Sequence, residues 1–138
     1  MFLALLLVET QVVYGNSVKG VPITYVELGK GPEKTLIMAG IHGDERSTAG
    51  QVKRLRAELQ AHPEKLKGKI IRLVEIANPD GWALKTRTNA NQVDLNRNFP
   101  ASWRQEFEQM GAGPYPTSEP EVRAVVDFVA HCRNLTGA

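Results

Sequence analysis

Cysteine is nearly absent from this chain of 138 residues, where Cys132 stands alone. One thiol excludes an internal disulfide and any cysteine-built zinc cluster. An excess of one charge sign is missing too: 17 Lys and Arg face 15 Asp and Glu, a formal net charge of +2. The one basic cluster, Lys53, Arg54 and Arg56, falls on a helical stretch, so nothing here resembles a nucleic-acid-binding footprint. Long hydrophobic runs are also lacking. Met1–Val8 is apolar but far shorter than the ~20 residues of a membrane helix. It has neither a basic flank nor a small-residue cleavage site, and reads as a first strand or a tail packed on the core. The expectation is a single domain, residues 1–138, cytoplasmic, with no membrane, nucleic-acid or obligate protein partner. The sequon Asn134-Leu135-Thr136 would count only in a secreted eukaryotic protein.

What is present alternates between strand and helix. Ile23–Leu28 alternates like a half-buried strand, and Gly29-Lys30-Gly31-Pro32 breaks it as a hairpin connection would. Leu36–Ala39 is a continuous apolar run, which predicts a central strand covered on both faces. From Ser47 to Ala61 the apolar positions Ala49, Val52, Leu55 and Leu59 recur at helical spacing, and Pro63 and Gly68 end that helix. Lys69–Ala77 is the next strand, so the strand–helix–strand order implies a parallel pair. Asn78-Pro79-Asp80-Gly81 has turn chemistry. The stretch from Trp82 to Pro116 is mostly irregular, long for a compact domain without a purpose. Ser118-Glu119-Pro120-Glu121 has the form of a capping box. Val122, Val125, Val126, Val129 and Cys132 follow as one apolar stripe of a closing helix. His131 lies beside that stripe and reads as structural or exposed, and Cys132 as a small core residue.

Three polar motifs fall at strand exits or in the long loop, the crevice where open α/β sheets bind ligands. They are His42-Gly43-Asp44-Glu45, Asn78-Pro79-Asp80-Gly81, and Asp94-Leu95-Asn96-Arg97-Asn98. A His and a Glu three apart can aim two donor atoms at one metal ion where the backbone turns helically. Each motif also has an ordinary reading: a solvated Glu beside a His, a turn, an Asp capping a turn.

Taken together, their order and spacing resemble the zinc carboxypeptidase family over about residues 15 to 133. The resemblance continues through the Ser-Glu-x-Glu helix start at Ser118–Glu121. The sequence is most similar to the family's short bacterial branch, whose murein peptide amidases cut γ-D-glutamyl-diaminopimelate bonds. The resemblance implies a three-layer α/β/α fold with a mixed, mostly parallel central sheet. It implies Zn²⁺ as cofactor and a peptide with a free carboxylate as substrate. His42 and Glu45 would be zinc ligands, and Arg87 would polarise the scissile carbonyl and stabilise the oxyanion. Asn96 and Arg97 would hold the substrate carboxylate, a planar group that a forked guanidinium suits. Asp94 would accept the other ring N–H of His42 and fix its tautomer.

Asp44 departs from the Arg that digestive relatives carry between the two ligands, which bears on a substrate subsite. The family's third ligand, a His, lies on a strand after the Ser-Glu-x-Glu helix, and its Tyr and catalytic Glu come later still. The sequence ends at Ala138 before that strand, so the expected sheet is truncated before its later strands. Glu106, Glu108 and Glu121 match none of these missing groups. Two rivals share part of the pattern: the aspartoacylase and succinylglutamate-desuccinylase branch, and a non-catalytic relative that binds a peptide or a metal. Asn-Pro-Asp-Gly and Ser-Glu-Pro-Glu favour the peptidase branch.

Overall fold

In the computed structural model, residues 10–104 and 111–134 are described. The apolar start at Met1–Val8, Glu106, Glu108 and part of the sequon lie outside them. β1 (Thr10–Asn16) runs antiparallel to β2 (Pro22–Met38). A tight turn joins them, in which the Gly20 amide donates to the Ser17 carbonyl and Gly20 takes a φ of 77°.

β2 pairs with β3 (Lys67–Val74) in an unusual way. Its second half runs parallel to β3, from Glu33 opposite Lys69 to Met38 opposite Val74. In its first half the partners run in the opposite sense, from Val26 opposite Leu73 to Gly29 opposite Ile70. One long strand therefore flanks β3 on both edges, and the sheet is mixed. Gly29-Lys30-Gly31-Pro32 is not a hairpin connection, because the two arms of β2 do not pair with each other. It is the bend that carries the chain around the start of β3. A Cβ on Gly31, whose φ is 155°, would overlap the Gly68 backbone, so glycine answers a close crossing here.

α1 (Arg46–Ala61) forms where the sequence periodicity places it. It buries Val52 and Leu59 against Val26, Leu28, Ala39, Leu66 and Leu73, with Leu55 partly covered. Pro63–Leu66 then makes one 3₁₀ turn before β3. α3 (Pro120–Asn134) lies against β1 on the other side, completing three layers. There Phe128 packs on Tyr14 and Tyr25, with ring centroids 5.1 and 4.8 Å away. The predicted stripe holds at Val122 and Val125, but Val129 is exposed and Phe128 takes the contact. Cys132 is half-buried against the Arg72 guanidinium.

Three local expectations change. Leu36–Met38 is only half-buried and forms a sheet edge among the described residues, so it is not covered on both faces. Asn78-Pro79-Asp80-Gly81 opens α2 (Pro79–Leu84), with Asn78 as N-cap accepting from the Gly81 amide. Turns and N-caps use the same Asn chemistry, and sequence alone does not separate them. The reciprocal Ser118–Glu121 cap does not form. The Glu121 carboxylate accepts instead from the Val18 amide and Asn89, and the Glu119 amide donates to Asn98 Oδ1.

Candidate functional site

The exits of β2 and β3 are sewn together beyond the sheet. The Ala77 amide donates to the Ala39 carbonyl at 3.0 Å, and the Asn78 amide to the Gly40 carbonyl at 2.9 Å. These bonds bring the 42–45 turn beside the start of α2. Asn78 Nδ2 adds a 3.1 Å bond to the Ile41 carbonyl, and Gly43 lies so close to Gly81 that a Cβ would overlap its backbone.

On that support, His42 is 7% exposed. Its Nδ1 lies 2.9 Å from Glu45 Oε1 and its Nε2 lies 3.0 Å from Asp94 Oδ1. Asp94, also buried, caps the 3₁₀ turn Leu95–Arg97 by accepting from the Asn96 amide. Arg87 Nε donates to Asp94 Oδ2 at 2.9 Å, and Arg97 Nε stands 3.5 Å from the same oxygen. Arg87 Nη1 is 3.6 Å from Glu45 Oε1, so Arg87 faces both carboxylates. Burial pushes the Asp94 carboxyl up, but hydrogen bonds from His42 and Arg87, with their charges, outweigh it and hold it below the ordinary value. Asn96 joins His42, Glu45 and Thr48 in lining a cleft of about 170 Å³. All six residues singled out in the sequence thus meet at one place. His131 is exposed on α3.

Sequence reasoning gave no partners to the buried polar groups of the neighbouring segments. Asn98 is fully buried and donates from Nδ2 to the Ala112 and Tyr115 carbonyls and to Ser118 Oγ. Asn89 donates to Glu119 at 2.7 Å and to Glu121 at 3.1 Å, while Asp80 accepts from the Lys19 amide at 3.0 Å. Three buried carboxylates are thus satisfied by neutral donors, with no cation paired to them among the described residues. The run Asn89-Ala90-Asn91 and the two Glu of Ser118–Glu121 were the available signal, because buried carboxylates need donors and Asn supplies two.

A buried His between two carboxylates, flanked by two Arg at the exits of a mixed sheet between helices, defines the class. Residues 7–137 match the zinc carboxypeptidase family, and the chain belongs to it. Several of its relatives are murein peptide amidases. The chain is 36% identical over 135 residues to murein peptide amidase A of Escherichia coli K12, a match covering 84% of this chain and 52% of that protein. The corresponding protein of Vibrio campbellii is 37% identical over 133 residues, with 84% and 51% covered. The crystal structure of the murein-tripeptide amidase from Escherichia coli O157 superimposes with a TM-score of 0.70 at 30% identity. That match covers 89% of this chain and 56% of the other. The chain spans about half the length of the curated relatives it matches.

Proposed function

We propose that this chain carries the His–carboxylate half of the zinc site of a metallopeptidase or peptide amidase. Its substrate would be a peptide with a free carboxylate, such as one with a γ-D-glutamyl-diaminopimelate bond. The observation that carries this reading is the pairing around His42. With Asp94 taking the Nε2 proton, the Nδ1 lone pair faces the Glu45 carboxylate at 2.9 Å. A lone pair and an anion that close call for a cation between them, a proton or a metal ion. Imidazole nitrogen and carboxylate oxygen are the donors of a His₂Glu zinc site, and Asp94 stands where such sites keep the acceptor that orients the ring.

Catalytic zinc takes three protein ligands. Among the described residues, no group of three His, Cys, Asp or Glu side chains is disposed to hold a metal ion. His42 and Glu45 therefore fit two positions and leave the third to a residue outside that group. Bound there, zinc would polarise a carbonyl and acidify a water. The chain's own contribution is to aim Nδ1 and the carboxylate, with Asp94 locking the tautomer. Arg87 would place a cation where negative charge develops on the carbonyl oxygen. Arg97, which faces the same Asp94 oxygen as Arg87, and Asn96 would clamp a substrate carboxylate. Among the described residues, none is assigned the part of general base.

Three measurements test this reading. The purified chain should bind Zn²⁺ one to one but weakly, and His42→Ala should abolish binding; metal uptake indifferent to His42 would overturn the site. In the catalytic protein, Arg97→Ala should weaken substrates with a free terminal carboxylate more than their amides, and equal losses would remove the clamp. The 138-residue chain alone should show no appreciable turnover of C-terminal or γ-D-glutamyl-diaminopimelate peptides, since an activating base typically contributes about 10²–10⁴-fold. Zinc-dependent turnover lost in His42→Ala would show that another residue of the chain completes the site.

A further inference from the structure

We infer that Arg46 is a positioning residue, holding the Glu45 carboxylate in place by clamping the 42–46 loop onto α2 through Trp82. The inference rests on the metal-site reading above. Glu45 is the N-cap of α1, yet its side chain makes no capping hydrogen bond and is 48% exposed. Its carboxylate meets His42 Nδ1 and Arg87, and where it stands for them depends on the backbone that carries it. That backbone meets α2 at three points. Asn78 holds the Ile41 carbonyl at one end, Gly43 abuts Gly81 in the middle, and Arg46 meets Trp82 at the other end.

The last contact is two-fold. The Arg46 guanidinium carbon lies over the indole ring, 3.9 Å from its centre, and Nη2 donates to the Trp82 carbonyl oxygen. No carboxylate pairs with Arg46 among the described residues. Helix stability does not account for Arg46 either. It opens α1, whose first turn holds no acid, so its charge sits at the positive end of the helix dipole. A cation placed against the dipole, with no acid paired to it among the described residues and its guanidinium carbon over an indole, answers to the indole. Lysine would keep the charge but lose the planar face and the fork.

Amide hydrogen exchange and Co²⁺ titration of the purified chain test the clamp, using Arg46→Ala, Arg46→Lys, Trp82→Leu, Trp82→Phe and the Ala/Leu double variant. Arg46→Ala and Trp82→Leu should each speed exchange at amides 43–48 and weaken Co²⁺ binding, both by about tenfold, while β3 amides keep their protection. Arg46→Lys should behave like Arg46→Ala, Trp82→Phe should stay near wild type, and the double variant should be no worse than the worse single. Unchanged exchange in the loop, full function with Lys, additive losses, or faster exchange spread through the sheet would each overturn the clamp. A wild-type chain that takes up no Co²⁺ overturns the metal-site reading instead, and the exchange measurements then decide the clamp alone.

Discussion

Asp94 gathers His42, Arg87, Arg97 and the Asn96 amide around one buried carboxylate. Replacing it with Asn would turn one acceptor oxygen into a donor facing donors. Asp94→Asn should therefore cost about 1–3 kcal/mol, read as a lower urea midpoint at neutral pH. The pH dependence has a definite sign. The folded carboxyl lies below its ordinary 3.8, so its contribution is complete above that value and is lost as pH falls through the lower, folded one. The gap between wild type and Asp94→Asn should close on acidification below 3.8; a gap independent of pH would mean the charge is not what matters. At this scale the sequence was informative where chemistry is carried by local spacing, as in His42 and Glu45, while Arg87 was singled out only through the family resemblance. Asn78 and Asn98 stood inside motifs that gave neither a partner, and Asn89 was not singled out. Their bonds reach carbonyls and carboxylates 14 to 37 positions away, and no local pattern encodes such a reach.

α1 was legible because a helix packed on a sheet repeats its apolar face every turn, and Ala49, Val52 and Leu59 are the buried positions. β2 was not, since a glycine pair that lets two backbones cross looks the same as one that ends a strand. The distinction makes a prediction. Gly50 lies in the interior of α1 with nothing near a Cβ built on it, so Gly50→Ala should stabilise the protein by about 0.5–1 kcal/mol. Gly43→Ala would drive a methyl into the Gly81 backbone, and should both destabilise the fold and move the turn that carries His42 and Glu45. Paired thermal melts would show the opposite signs; the same sign for both would mean that the Gly43–Gly81 approach is not a constraint.

Across the whole molecule, buried carboxylates tie the β1–β2 turn, α2, the loop around Asn89 and α3 into one piece. Burial raises the Glu121 carboxyl above its ordinary 4.5 and the nearby Asp80 charge adds to this, against hydrogen bonds that pull it down. The folded state therefore holds the Glu121 proton more tightly than the unfolded chain does. From 4.5 up to the raised folded value, this group's contribution to stability should fall as pH rises, opposite in sign to that of Asp94. Glu121→Gln should flatten that decline in urea midpoints collected across the window; an unchanged slope would assign the decline to other groups. The clasp of β2 around β3 has a consequence for the order of assembly. Val26 meets Leu73 and Met38 meets Val74, so each arm of the clasp must find β3 across a long stretch of intervening chain, α1 included. Such distant closures are slow, and neither arm has its full set of partners until β3 arrives. The two arms and β3 should then gain and lose amide protection together, as one unit whose completion is the late step of folding.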